Sequence, residues 1–155
     1  MIELSLADIA DIVGGRLIGN SVAVTGSVET DSRLVSNGSL FVCKPGEVTD
    51  GHNFAQAALD QGASALMVER ELQVDAPQVI VPDTVLALGR LAAGVLRLVR
   101  SKTDIKVIGV TGSNGKTTTK NMLREILSTA GSTIAPIESY NNEVGAPISI
   151  LKADF

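Results

Sequence analysis

Residues 107–120 read VIGVTGSNGKTTTK, a stretch in which glycines, a lysine and several threonines follow an apolar run. The apolar run is typical of a strand, and we expect a helix to begin at about Lys116 or Thr117. Such a turn points backbone N–H groups and the positive end of a helix dipole at one place, which suits a phosphate. Lys116 adds a movable positive charge for the outer phosphates, and Thr117 offers a hydroxyl to a magnesium ion.

This loop matches the general phosphate-loop pattern only in part. The strict pattern G-x-x-x-x-G-K-[ST] requires glycine at position 110, where this chain has Val110. An alternative interpretation is a strand–helix turn that needs its glycines only for its own geometry. The lysine, the hydroxyl and the strand–loop–helix context together favour the phosphate site.

Composition and charge limit the classes of protein that fit. Of the 155 residues, 45% are hydrophobic and 19% are charged, which indicates a folded globular chain. The net charge of -4 argues against non-specific binding to nucleic acid or to an anionic membrane. A site for an anionic ligand therefore has to be built locally. The single cysteine, Cys43, excludes an internal disulfide, and its apolar neighbours favour a buried strand cysteine over a nucleophile.

We expect neither a secretory signal nor a membrane-spanning segment in this sequence. The first residues carry Glu3, Asp8 and Asp11 and have no basic segment, unlike a secretory signal. The longest apolar stretch is interrupted by Arg90 and Arg97, and it is too short and too charged to span a bilayer. We therefore expect a cytoplasmic protein.

Helix and strand signals alternate along the chain, which predicts an α/β architecture. Ser5 and Asp8 form a capping pattern before a first helix that Gly14 stops, and Asp83 caps a long helix that reaches about Arg100. The other predicted elements are strands at 16–18, 22–24, 40–43, 65–68, 78–81 and 106–110, a helix at 53–61 and the helix after the glycine loop.

A polar segment, SKTD, predicts a domain joint within residues 99–104. We therefore divide the chain into a first domain at 1–99 and a second at 100–155, which opens with a strand, the glycine loop and a helix. The apolar residues of that helix fall on one stripe: Met122, Leu123, Ile126, Leu127 and Ala130.

Three stretches of the chain resemble the Mur ligase family. T-G-S-N-G-K-T-T resembles the family's ATP loop, which shares the departure at the first glycine. Residues 30–69 resemble the family's N-terminal domain, which holds the UDP part of a cell-wall precursor. SYNNEVGAPISIL, residues 139–151, resembles the segment after the ATP loop in the member that adds D-alanyl-D-alanine. The resemblance implies an α/β precursor-binding domain followed by the opening part of a parallel-sheet ATPase domain.

The resemblance also implies an activity and its residues. The activity is an ATP-dependent ligation, in peptidoglycan synthesis, of D-alanyl-D-alanine to UDP-N-acetylmuramoyl-tripeptide through an acyl phosphate, with ATP and Mg²⁺ as cofactors. We expect a monomer that binds neither nucleic acid nor membrane. The implied ATP-loop residues are Gly112, Ser113, Asn114, Gly115, Lys116, Thr117 and Thr118, with Lys116 and Thr117 catalytic and Thr117 also on the metal. The implied substrate-binding residues are Thr30, Ser32, Arg33, Glu47, Val48, Thr49, Asn141 and Asn142.

Two of the candidate side chains have alternative interpretations. The segment TDSR around Arg33 also fits an Asx-type turn with a surface arginine. His52, in the sequence DGHN, could contact the nucleotide or could be a helix-entry histidine bonded to backbone. It is not proposed as a metal ligand, because no second histidine or cysteine cluster accompanies it.

Other activities stay open at this point. The sister ligase that adds the third stem-peptide residue shares the N-terminal pattern, but it usually has N-T-T where this chain has Asn142-Glu143-Val144. A folate-chain-extending ligase shares the loop and lacks the first domain. A non-catalytic module that binds the UDP precursor is a third possibility. The family's later metal ligands and third domain have no counterpart up to Phe155, so we expect an N-terminal fragment that is inactive alone.

Overall fold

The computed structural model describes residues 1–46, 49–136 and 143–154. Within these ranges a five-stranded sheet has helices on both faces, which confirms the predicted α/β class. The strands are β1 Leu4–Ser5, β2 Arg16–Ile18, β3 Ala23–Val24, β4 Val28–Glu29, β5 Ser39–Val42, β6 Ala63–Val68 and β7 Gln78–Ile80. The helices are α1 Leu6–Val13, α2 Ala55–Asp60, α3 Thr84–Lys102, α4 Lys116–Ser128 and α5 Gly145–Ile150, with 3-10 turns at Ser32–Leu34 and Gly51–Phe54.

Four strands of the main sheet run parallel and in chain order. The spatial order is β2-β7-β6-β5-β4; β4 to β7 are mutually parallel, and β2 pairs antiparallel with β7 at one edge. β1 and β3 form a separate two-stranded antiparallel ribbon. Because parallel strands point the same way, the loops that follow β4, β5, β6 and β7 all leave from one edge of the sheet, here called the carboxyl edge.

Alternate residues of the parallel strands serve two different cores. Leu40 and Val42 of β5 face the core covered by α1 and α3, whereas Phe41 and the following Cys43 face the core covered by α2. The alternation continues in the neighbouring strands, with Ala65, Met67 and Val79 on the first side and Leu66, Val68 and Ile80 on the second. Strands buried on both faces explain why these segments read as continuous apolar runs in the sequence.

Both predicted side-chain caps are confirmed. The Ser5 hydroxyl accepts a hydrogen bond from the Asp8 N–H at 3.1 Å, and the Asp8 carboxylate accepts one from the Ser5 N–H at 3.3 Å. At α3 the Asp83 carboxylate accepts a hydrogen bond from the Leu86 N–H at 2.8 Å. These bonds satisfy N–H groups that a helix end leaves without backbone partners.

Helix α3 ends at Lys102, slightly beyond the predicted Arg100, so it enters the segment predicted as the domain joint. Beyond that joint, α5 packs against α3, and Leu151 and Ala153 are buried in the core that α1 and α3 share. The division of the chain at residue 99 stays a prediction.

The strand predicted at residues 106–110 is wrong for the described part of the chain. These residues belong to no assigned sheet, and the exposed fractions of Val107 and Ile108 are 54% and 55%. A strand needs a neighbour to accept and donate its backbone hydrogen bonds, and no described strand lies beside this run. An apolar, β-branched sequence is therefore not sufficient to form a strand here.

The apolar stripe of α4 is present but is not buried. Helix α4 has no buried residue, and Met122 and Ile126 are 62% and 65% exposed. The predicted helix at 53–61 is also different in its first turn: Gly51–Phe54 forms a 3-10 turn, at whose start the Asp50 carboxylate accepts a hydrogen bond from the His52 N–H at 3.0 Å. β1 and β4 were not predicted, since two-residue strands are too short to show a period of two.

Cys43 is a buried cysteine, as its sequence context predicted. It packs in the core beneath α2, and this burial raises the pKa of its thiol to about 12. The thiol is therefore uncharged near neutral pH and is a poor nucleophile. As for membranes, no helix within the described ranges is both long enough and apolar enough to cross a bilayer.

Two glycines of α3 provide a test of the packing between α1 and α3. A Cβ atom at Gly94 would lie 2.5 Å from Ile12 Cγ2, whereas a Cβ atom at Gly89 meets nothing within 4 Å. We expect Gly94→Ala to lower the free energy of unfolding by about 1–3 kcal/mol through overpacking. Gly89→Ala should raise it by about 0.5–1 kcal/mol, because alanine favours the helix. Urea unfolding of both variants measures the difference, and equal effects would contradict this packing.

Candidate functional site

The glycine loop leads directly into α4, which begins at Lys116 as predicted. Gly115 precedes the helix with φ at +78°, and Gly112 has φ at +147°, conformations that other residues rarely adopt. The Thr119 N–H makes the first helical bond, to the Gly115 carbonyl at 2.9 Å. The N–H groups of the preceding first turn lie before that bond and have no acceptor within the helix. They are the groups that a helix start offers to an anion.

The Lys116 side chain curves back over this loop. Its ammonium group donates to the Gly112 carbonyl and lies 3.4 Å from the Ser113 carbonyl. Thr117 and Thr118 follow on the first turn, and both are exposed. The loop thus gathers a cation, three hydroxyl groups and the helix start within seven consecutive residues, Gly112 to Thr118, of which Ser113 and Asn114 are also exposed.

Four of the predicted substrate-binding residues follow two paired strands. Thr30, Ser32 and Arg33 come after β4, and Thr49 lies in the loop that follows β5. Since β4 and β5 are parallel neighbours, these loops lie together at the carboxyl edge, where open α/β sheets generally bind ligands. The remaining predicted residues, Glu47, Val48, Asn141 and Asn142, lie outside the described part of the chain.

Arg33 forms the Asx-type turn that its sequence context also allowed. The Asp31 carboxylate accepts a hydrogen bond from the Arg33 N–H at 3.0 Å and from the guanidinium at 2.6 Å. The guanidinium, bonded to this carboxylate, lowers the pKa of Asp31 to about 2. The Arg33 side chain is nevertheless 84% exposed, so its other N–H donors face solvent. A role for Arg33 toward a phosphate stays a prediction.

His52 is the backbone-bonded helix-entry histidine, one of its two alternatives. Its side chain is 1% exposed, and its Nε2 accepts a hydrogen bond from the Glu69 N–H at 2.9 Å. Its Nδ1 lies 2.6 Å from Asp50 Oδ1, and Arg70 donates to the other oxygen of Asp50 at 2.7 Å. The His52 N–H, together with Arg70, holds the pKa of the Asp50 carboxyl well below its usual range.

The sequence gives no direct sign of this group of polar residues, which continues to the start of α3. Glu69, directly after β6, accepts hydrogen bonds from the Thr84 N–H at 2.8 Å and from the Thr84 hydroxyl at 2.9 Å. The local signals, an aspartate two residues before a histidine and another before a threonine, indicate turns and caps. They do not show that Glu69 bonds both turns, because Glu69 lies 17 residues after His52 and 15 residues before Thr84.

Carboxylates do not gather into a metal site in the ranges that the structure describes, since no group of three or more His, Cys, Asp or Glu side chains there could hold an ion. In the predicted phosphate site, the Thr117 hydroxyl is the oxygen that a cation would contact.

Models of two successive domains of one protein family match this chain. The model described as Mur ligase family, catalytic domain, matches residues 25–95, and the Mur ligase middle domain matches residues 110–154. The first match contains the loops after β4 and β5, and the second contains the glycine loop. The chain belongs to the Mur ligase family.

Relatives of known name resemble the chain along almost its whole length. It is 42% identical over 152 residues to UDP-N-acetylmuramoyl-tripeptide–D-alanyl-D-alanine ligase of Escherichia coli (strain K12), covering 98% of this chain and 32% of that protein. It is 38% identical over 182 residues to the ligase of the same name from Mycobacterium leprae, covering 99% and 35%. The chain thus spans about a third of the length of these curated relatives.

Solved structures of MurF ligases also resemble the chain. MurF from Acinetobacter baumannii matches with a TM-score of 0.86 and 33% identity, over 98% of this chain and 33% of that one. MurF ligase from Thermotoga maritima, solved in complex with ADP, matches with a TM-score of 0.69 and 36% identity, over 83% and 29%. The described fold is therefore that of the corresponding part of a MurF ligase.

The lowered pKa of the Asp50 carboxyl makes the folding stability of the chain depend on pH. Its folded-state pKa is depressed, so the folded chain binds fewer protons than the unfolded chain, whose aspartates titrate near ~3.9. The stabilisation is present above that value and is lost as the pH falls through the lower, folded-state pKa. We expect the stability of Asp50→Asn to change less than that of the parent chain between about pH 5 and pH 3. Urea unfolding across this range tests the prediction, and identical slopes would contradict it.

Proposed function

We propose that this chain is part of an ATP-dependent ligase that joins D-alanyl-D-alanine to UDP-N-acetylmuramoyl-tripeptide. The observation that carries the proposal is the 42% identity to the Escherichia coli ligase over 98% of the chain, including both the phosphate loop and the loops at the carboxyl edge. In this proposal residues 1–99 hold the UDP precursor and residues 100–155 open the ATP-binding domain.

The glycine loop would bind the triphosphate of ATP. The N–H groups at the start of α4 meet the phosphate oxygens, and the Lys116 ammonium moves from the Gly112 carbonyl to the outer phosphates. The Thr117 hydroxyl would take part in holding Mg²⁺, together with oxygens of the phosphates. The ion neutralises phosphate charge when it is bound, and the residues of the loop orient the nucleotide.

The carboxyl edge would bind the UDP part of the precursor. The hydroxyl groups of Ser32 and Thr49 are suited to hydrogen bonds with the uracil or sugar, and Arg33 is suited to the diphosphate because its side chain is exposed. Thr30 lies beside them, and we assign Glu47 and Val48 to the same site. Asn141 and Asn142 are assigned to the region of the transferred phosphate and the peptide.

The chemistry follows from the poor reactivity of a carboxylate toward an amine. The terminal carboxylate of the tripeptide attacks the γ-phosphorus of ATP, which gives an acyl phosphate and ADP. The amine of D-alanyl-D-alanine then attacks the acyl carbon, the amide bond forms, and phosphate leaves. Lys116 and the helix start contribute by stabilising charge that develops on the transferred phosphoryl group.

The setting of this reaction follows from its substrates. ATP and a nucleotide-linked precursor place the enzyme in the cytoplasm, and the net charge of -4 fits a protein with no nucleic-acid or membrane partner. We propose that it acts as a monomer, because both proposed sites lie on one chain. The alternatives are the sister ligase that adds the third stem-peptide residue and a non-catalytic module that binds the UDP precursor.

Replacing the loop lysine tests the phosphate role. In a full-length ligase that contains this sequence, we expect Lys116→Ala to reduce turnover by about a hundredfold or more, with a smaller loss of ATP affinity. Lys106→Ala is the matched control, since that lysine pairs with Asp104 at 2.6 Å outside the loop. Steady-state kinetics with saturating precursor measures both. Near-normal turnover of Lys116→Ala would remove the lysine from the mechanism.

Binding experiments on the 155-residue chain test which ligand each of its two proposed parts binds. We expect UDP-N-acetylmuramoyl-tripeptide to raise its Tm more than Mg·ATP does. The proposed precursor site lies at the carboxyl edge of a packed sheet, whereas α4 has no buried residue. No phosphate should be released when ATP, precursor and D-alanyl-D-alanine are all present. Thermal denaturation, calorimetric titration and a phosphate-release assay measure these outcomes, with precursors carrying either lysine or a diamino acid at the third position. Turnover by this chain would show that it already holds the catalytic groups.

A further inference from the structure

A buried histidine joins the loop after β5 to the end of β6. The loop is closed at its base, where the Gly51 N–H donates to the Lys44 carbonyl at 2.9 Å and the Gly46 N–H donates to the Thr49 carbonyl at 3.0 Å. Asp50 lies at this base in an isolated β-bridge with Pro45. His52 contacts Asp50 on one side of its ring and the Glu69 backbone on the other.

The hydrogen bonds determine which ring nitrogen of His52 carries the proton. Nε2 faces the N–H of Glu69 at 2.9 Å, so it has to be the acceptor and cannot carry a hydrogen. Nδ1 then carries the hydrogen of the neutral ring and donates it to Asp50 Oδ1 at 2.6 Å. This Nδ1–H form is not the one that a neutral histidine in water prefers, so the fold has to impose it.

Every side-chain oxygen of Asp50 is engaged in the same arrangement. Oδ1 accepts from the His52 N–H at 3.0 Å and from the His52 ring, and Oδ2 accepts from Arg70 at 2.7 Å. The hydrogen-bonding capacity of the Asp50 carboxylate is therefore largely used within the protein, and little of it is left for a ligand. Its neighbour Thr49 is exposed and belongs to the proposed precursor site at the carboxyl edge.

Glu69, on the other side of the His52 ring from Asp50, is also fixed by hydrogen bonds. Glu69, whose N–H bonds His52, uses its carboxylate to hold the N–H and hydroxyl of Thr84, the first residue of α3 and a fully buried one. His52 is thus attached to a point of the fold where a parallel strand and the long helix meet. Movement of the loop base relative to the sheet would break at least one of these bonds.

We propose that His52, in its Nδ1–H form, is a positioning residue that fixes Asp50 and thereby the exposed Thr49 at the carboxyl edge for the nucleotide part of the precursor. This inference rests on the proposed function. His52 itself contacts no ligand in this arrangement, because its ring is enclosed by the protein.

The form of the ring can be tested without any substitution or ligand. His52 is the single histidine of the chain, so a sample labelled with ¹⁵N-histidine gives one pair of ring-nitrogen signals. At about pH 8, above the ordinary histidine pKa of ~6.5, we expect Nδ1 to show the shift of a protonated nitrogen and Nε2 that of an unprotonated one. The opposite pattern, or the averaged pattern of a free ring, would overturn the inference.

Two substitutions separate the two bonds of the ring. His52→Gln retains an acceptor for the Glu69 N–H and loses the donor to Asp50, whereas His52→Asn retains the donor and loses the acceptor. We expect each to weaken the affinity of the chain for UDP-N-acetylmuramoyl-tripeptide by about tenfold. Calorimetric titration, at a temperature where circular dichroism shows each variant to be folded, measures the affinity.

Gln78 provides the matched control. Its buried side chain also fastens a loop, by accepting from the Leu72 N–H at 3.0 Å and donating to the Leu72 carbonyl at 2.8 Å, but it does so at the opposite edge of the sheet. We expect Gln78→Met to lower Tm and to leave the precursor affinity within about twofold of the parent chain. A merely stabilising role for His52 would make affinity follow Tm in all three variants, and this result would refute positioning.

The outcomes separate this inference from the proposed function. If the parent chain does not bind the precursor, the proposed function fails for these residues, and the positioning role fails with it even if the ring has the expected form. If the parent chain binds and both His52 variants bind as tightly as the parent chain, only the positioning role fails. If the variants do not fold, Arg70→Ala, which removes the exposed bond to Asp50 Oδ2, is titrated in their place, and unchanged affinity contradicts the inference.

Discussion

Burial of both faces of the parallel strands is the constraint on which the other features depend. Each of β5, β6 and β7 places alternate side chains into two separate cores, so a shift of register by one residue would exchange the two sets. Helices must then lie on both faces, and the connections must cross from one end of the sheet to the other. As a result the loops after β4 and β5 come together at one edge although they are apart in the sequence. The proposed precursor site is thus a consequence of strand direction.

Features set by neighbouring residues could be predicted from the sequence, whereas features set by distant ones could not. The caps at Ser5 and Asp83 and the helix start at Lys116 depend on a few adjacent residues, and all three are found where the sequence placed them. The strand at 106–110 depends on a partner strand, and no described strand supplies one. The backbone turn of the glycine loop, with Gly115 at φ +78°, is set by adjacent residues in the same way as the caps.

The polar contacts around His52 show the same limit at the level of single side chains. The sequence left two interpretations of His52 open, and the choice between them required knowing that Glu69, 17 residues away, presents its N–H to the ring. The Asx turn at Arg33 joins residues two apart, and the sequence did suggest it as one alternative.

The glycine loop and its surroundings would contribute differently to the proposed catalysis. The backbone geometry of the loop is local, and it forms even though the preceding residues are exposed and α4 buries no side chain. A charge–dipole interaction is weak in such a place, because water at high dielectric screens it and competes for the same N–H groups. Catalysis by charge stabilisation needs those groups fixed in a site from which water is excluded. The local sequence therefore specifies the geometry of the loop, and the proposed phosphate binding would be strengthened by burial of Val107, Ile108 and the apolar stripe of α4.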